Sequence, residues 1–73
     1  MKYEIDLKNS EVDYIPQTQK KHFYKALDYC LKNNFVCCMV NKTTFWFDID
    51  KLEVKIKGAR DRYIYTYKLK EVI

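Results

Sequence analysis

Apolar and polar residues alternate at the start of the chain. Tyr3, Ile5 and Leu7 fall on one side and Lys2, Glu4, Asp6 and Lys8 on the other, which predicts a half-buried strand over residues 1–8. The stretch from Asn9 to Gln17 holds Asn, Ser, Asp and the one proline, and reads as a connection that Val12, Tyr14 and Ile15 anchor to the body. Pro16 disfavours a helical conformation at Ile15 and suits the approach to a helix. From Thr18 to Asn33 the period changes. Phe23, Ala26, Leu27, Cys30 and Leu31 recur at helical spacing and form one apolar stripe, with Lys21, Lys25, Asp28 and Lys32 opposite. Thr18 is the expected N-cap, and Asn33 and Asn34 are expected to take the left-handed C-cap.

Beyond the helix the period is two. Phe35 to Val40 is apolar on both faces, as in a central strand, and Asn41 to Thr43 reads as a turn. Phe45, Phe47 and Ile49 alternate with Trp46 and Asp48, and Leu52, Val54 and Ile56 alternate with Glu53, Lys55 and Lys57. Gly58, the only glycine, opens a polar turn through Asp61. Tyr63, Tyr65, Tyr67 and Leu69 then alternate with Ile64, Thr66, Lys68 and Lys70. The predicted architecture is an α+β fold: a single helix packed on an antiparallel sheet of four to five strands, in the order β-α-β-β-β-β. That element order is similar to the order in cystatin-like folds, a likeness of topology that carries no function. Phe23, Leu27, Leu31, Phe45, Phe47, Val54, Ile56 and Tyr67 are the predicted core.

Length sets limits on this picture. The 73 residues are read as one domain, residues 1–73. A chain this short buries only about 60% of the surface it exposes when unfolded. Its 16% aromatic content compensates, because each ring can bury roughly 150–250 Å² without help from disulfides or metals. The longest apolar run, Phe35 to Val40, is six residues, far short of the ~20 that span a bilayer. No membrane association is expected. The first residues lack the apolar core of a secretory signal, and three cysteines, an odd number, suit reduced, buried thiols. The expected compartment is the cytoplasm.

Charge changes the picture more than length does. Residues 1–50 hold seven Lys against seven Asp or Glu. Residues 51–70 hold seven basic side chains, Lys51, Lys55, Lys57, Arg60, Arg62, Lys68 and Lys70, against Glu53 and Asp61. The net charge therefore sits in the C-terminal third. If the alternating aromatics face the helix, the outer sheet face presents Trp46, Lys55, Lys57, Ile64, Lys68 and Lys70, with Arg60 and Arg62 at the hairpin tip. These eight residues form the candidate binding surface. Lysines neutralise phosphates and an exposed ring stacks on bases, so the surface suits nucleic acid as well as protein. A Lys-, Asn-, Ile- and Tyr-rich chain is also what an AT-rich genome encodes by default.

Candidate chemistry is sparse. One glycine leaves no phosphate-cradling loop. His22, the only histidine, matches no zinc spacing with Cys30 or Cys37. Cys37 and Cys38 are neighbours in a strand and point to opposite faces, so they are poorly placed to share a metal. Asp48 and Asp50 read as a solvated strand end preparing a turn. No catalytic residue, cofactor or metal site is expected. Two functions remain. The first is a small non-enzymatic interaction protein that binds another protein or itself as a homodimer, in the manner of a phage or mobile-element protein that modulates a host protein. The alternative is a nucleic-acid-binding module using the basic C-terminal hairpin.

Overall fold

A computed structural model describes residues 2–72. Strand β1 (Lys2–Asp6) leads through a 3-10 turn at Leu7–Asn9 to helix α1 (Gln17–Asn33). Four strands follow: β2 (Cys37–Val40), β3 (Thr43–Asp48), β4 (Glu53–Lys57) and β5 (Tyr65–Val72). All pairings are antiparallel, and the sheet order is β1-β5-β4-β3-β2. The α+β architecture is the one the periodicity predicts.

Local chemistry explains the boundaries. The helix begins one residue earlier than expected, directly after Pro16, whose carbonyl accepts the Lys20 N–H at 3.0 Å. Thr18 therefore lies inside the first turn and does not cap. Proline has its φ preset and no N–H to satisfy, so it serves at this boundary without a side-chain cap. At the other end Asn34 is left-handed (φ 57°, ψ 40°), and Phe35 N–H donates to Cys30 O at 2.9 Å. This closes the last turn in the manner of a Schellman motif, the expected asparagine cap. Asn41 and Lys42 both have positive φ (48° and 64°). They form the two-residue loop whose twist suits a tight β2–β3 hairpin.

The core lies between α1 and the inner sheet face. Phe23, Ala26, Leu27 and Cys30 from the helix meet Phe45, Phe47, Val54, Ile56, Tyr67 and Leu69 from the sheet, with Tyr3 and Ile15 closing the sides. Tyr67 hydroxyl donates to Tyr14 O at 3.0 Å and fastens the connection before the helix to β5. Ser10 completes the sheet where β1 ends: its hydroxyl accepts Lys68 N–H at 2.8 Å and donates to Asp6 O at 2.6 Å.

Four expectations are corrected. Phe35–Val40 is an edge and not a central strand, because β5 folds back to pair with β1 and leaves β2 last in the sheet. Leu31 is 45% exposed. It sits at the rim of the helical stripe, beyond the width of sheet that α1 covers. Cys37 is exposed and Cys38 half-buried, so only Cys30 is a buried thiol. Tyr65, expected to face the helix, is exposed at the start of β5.

Candidate functional site

The strand register determines what becomes of the basic surface. Trp46 pairs with Lys55, and the two join Ile64 in a shallow hollow of ≈ 370 Å³ on the outer face. Lys57 lies opposite Thr44, and Arg60 and Arg62 are exposed in the β4–β5 connection. Lys68 and Lys70 are different. Lys68 lies between Glu53 on β4 and Asp6 on β1, and its Nζ is 2.5 Å from Glu53 Oε1. Lys70 lies opposite Glu4. The hydrogen bond from Lys68 holds the Glu53 carboxyl below its ordinary value. Asn9 Nδ2, donating at 2.7 Å, does the same for Asp6, with help from nearby Lys70. The outer face thus carries Glu4, Asp6, Asp48 and Glu53 among Lys2, Lys55, Lys57, Lys68 and Lys70. The basic character survives as a patch of Lys55, Lys57, Arg60 and Arg62.

A second surface stands out at the β2 edge. The run Phe35-Val36-Cys37-Cys38-Met39-Val40 contains no charge, proline or glycine. Val36 is 71% exposed and Met39 64%. Phe47 N–H donates to Val36 O at 2.7 Å. Bonding groups alternate sides along an antiparallel strand, so Val36, Cys38 and Val40 bond to β3. Cys37 and Met39 therefore aim their N–H and C=O groups off the end of the sheet. Native sheets usually blunt such an edge with charge, proline or a covering loop; this one has none of them.

The flank of α1 continues this surface. The Tyr29 ring lies 5.8 Å from the Phe35 ring. With Lys25, Cys37, Cys38, Met39 and Val40 these rings line a groove of ≈ 520 Å³ between the helix and the edge. Cys38 turns inward and donates its thiol to Ala26 O at 3.7 Å. Burial, with Cys38 beside it, pushes the Cys30 thiol up to about 12, so it stays protonated and unreactive at neutral pH. Periodicity flagged the apolar run, but it did not bring Lys25 and Tyr29 to it. Both lie off the helical stripe, and only the placement of β2 beside α1 joins them to the run.

No protein-family model, curated protein or solved structure matches this chain. Among the described residues no group of three His, Cys, Asp or Glu side chains is placed to hold a metal ion. His22 is half-buried near the helix start, with Nε2 3.4 Å from Asn41 Nδ2 and a buried Nδ1 that has no hydrogen-bond partner. It ties α1 to the β2–β3 turn. Asp48 Oδ1 accepts Lys51 N–H at 3.2 Å, a turn contact of the kind its spacing with Asp50 suggested. Among the described residues no helix is long and apolar enough to cross a membrane.

Proposed function

We propose that this chain is a small, cytoplasmic, non-enzymatic interaction module whose working surface is the edge of β2 with the adjoining flank of α1. The observation that carries this reading is the uncharged edge, with the main-chain groups of Cys37 and Met39 aimed outward between exposed Val36 and Met39. Such an edge recognises an extended protein segment by adding it as a further strand. Main-chain bonds give the affinity and the groove beside Tyr29 and Phe35 reads alternate side chains. The small size and the Lys-, Asn-, Ile- and Tyr-rich composition support a further step, that the module belongs to a phage or another mobile element and modulates a host protein.

The basic hairpin supports a second reading. Trp46 beside Lys55, with Lys57, Arg60 and Arg62 nearby, is an arrangement that can hold a single strand of nucleic acid. It ranks second because Lys68 and Lys70, which would extend the patch, face Glu53, Asp6 and Glu4.

One experiment separates the two. The 15N-labelled chain is titrated with a library of extended peptides of alternating apolar residues, and separately with an oligothymidine strand, each at low and raised salt. The expected result is peptide-induced shifts at the Cys37 and Met39 amides that persist in salt. Salt-sensitive oligonucleotide shifts around Trp46, Lys55, Arg60 and Arg62, with none at β2 from any peptide, would transfer the function to the hairpin.

A further inference from the structure

Resting on the reading of β2 as a binding edge, we propose that the strand it takes is β2 of a second copy. The two copies would pair antiparallel about a two-fold axis at Cys38 and form one continuous ten-stranded sheet with both helices on the same face.

The register follows from which groups are free. Cys37 and Met39 are the strand residues whose main-chain groups point outward, so a symmetric pairing must use them. With the axis at Cys38, Cys37 of each copy faces Met39 of the other, and all four outward N–H groups find outward carbonyls. An axis at Cys37 would place Phe35 opposite Met39, but the Phe35 N–H is already given to Cys30 O. An axis at Met39 would place Cys37 opposite Asn41, whose φ of 48° takes it out of the extended strand. Cys38 is the one centre that leaves no bond unmade. It also sets Val36 against the second copy's Val40 on the helix side, and so covers the most exposed aliphatic of the run.

Charge permits this contact. Residues 33–41 carry no charge, Lys32 on the helix is paired with Asp28 at 3.4 Å, and Lys25, on the groove wall, is exposed. Lys55 and Lys57 on β4 would stand five strand spacings from their counterparts, roughly 24 Å at ~4.8 Å per strand. That exceeds the ~8–10 Å screening length at physiological salt. The other edge, β1, carries Lys2, Glu4 and Asp6 and offers no comparable uncharged run. A contact of five strand residues with the groove wall beside them is smaller than the ~800 Å² per partner of a standard interface. The dimer is therefore a weak one that dissociates on dilution.

The pairing makes a specific chemical demand. Opposed residues at the axis form a non-hydrogen-bonded pair with Cα atoms about 4.5 Å apart, within the ~4.4–6.8 Å range a disulfide accepts. The test is sedimentation of the full chain over a range of concentrations, together with cross-linking by copper phenanthroline in air. In that reaction two Cys38 thiols lose two protons and two electrons to oxygen and form an S–S bond. The expected result is concentration-dependent dimer, a cross-link that Cys38→Ser abolishes and Cys37→Ser leaves, and a shift to monomer in Met39→Lys with unchanged circular dichroism and melting. A dimer indifferent to Met39→Lys, or a cross-link through Cys37, overturns the proposal. So does a wild-type monomer at every concentration. If that monomer still binds extended peptides at β2, the binding edge stands and only the second copy is lost; if it binds none, both readings fall.

Discussion

The two edge strands occupy equivalent places in the sheet and are built in opposite ways. On β1 every second residue is charged: Lys2, Glu4 and Asp6 alternate with Tyr3 and Ile5, and Asp6 is further held by Asn9. On β2 the outward residues are Cys37 and Met39, and the run on either side of them is apolar. Charge on an edge makes a second strand expensive to add, because the charged groups lose water without gaining partners. A chain of this size that protects one edge and leaves the other bare has the contrast on which the proposed docking strand rests. The contrast also separates net charge from edge geometry as guides to a binding surface. The lysine-rich third of the chain is partly neutralised by β1, and the uncharged run has the more specific geometry.

The largest expected effect tests the body that presents both edges. Leu27 and Leu31 lie a turn apart on α1; Leu27 is buried against the sheet and Leu31 is at the rim. Leu27→Ala should lose about 2–5 kcal/mol of unfolding free energy, and Leu31→Ala less than about 1 kcal/mol. Denaturant unfolding of the two variants measures the difference. Equal losses would mean that α1 is rotated on the sheet, and the two flanks of the helix would have to be reassigned to the two edges.

The next effect lies on the alkaline side. Burial raises the Cys30 thiol from its ordinary 9.0 to about 12, and burial with Tyr65 and Asp61 nearby raises the Tyr67 phenol above its ordinary 10.0. Both folded values lie above the unfolded ones. The stability they contribute is therefore whole below about pH 9 and is lost as pH rises through the folded values. Cys30 lies under the β2 half of the sheet and accounts for the first part of the loss, on the order of 2–4 kcal/mol by pH 12. Thermal melts from pH 7 to 11 should be flat and then fall. In Cys30→Ala the fall should begin later, where Tyr67 takes over; an unchanged onset would show that the thiol is not the group being titrated.

How much of this was legible depends on the distance along the chain over which each feature is decided. The helix and its hairpins were readable because their periods, caps and turns are set by neighbours: Asn34 and Asn41–Lys42 supply the positive φ values where the apolar pattern stops. The pairing of β1 with β5 joins residues more than sixty positions apart, such as Glu4 and Lys70, and no local pattern encodes it. Two misreadings follow from that one fact. Phe35–Val40 reads as a central strand when it is the edge, and Lys68 and Lys70 read as free cations when Asp6 and Glu4 stand opposite them. Leu31 fits the helical period but lies beyond the width of sheet beneath it.

A smaller effect addresses the charged edge directly. Replacing both Lys2 and Glu4 with valine would give β1 the character of β2. The expected outcome is a modest change in melting, with light scattering that rises with concentration as molecules pair through a second edge into chains and not closed dimers. If the double variant stays as soluble as the parent, charge is not what protects β1.

The smallest effect concerns the ion pair that neutralises the basic face. Lys68 and Glu53 meet on the outer surface, where water screens the attraction, so their contribution to stability is slight. The pKa of Glu53 is lowered in the folded chain, mainly by the hydrogen bond from Lys68. The pair's contribution is thus present above the ordinary carboxyl value of 4.5 and is lost as pH falls through the lower folded value. Glu53→Gln should melt slightly below the parent at pH 7 and with it once the medium is acid enough to protonate Glu53. The same variant frees Lys68 to join Lys55 on the outer face. If the hairpin binds nucleic acid, Glu53→Gln should bind oligothymidine more tightly and with a steeper salt dependence, while peptide binding at β2 stays unchanged. No gain in oligonucleotide affinity would leave the β2 edge as the surface that binds.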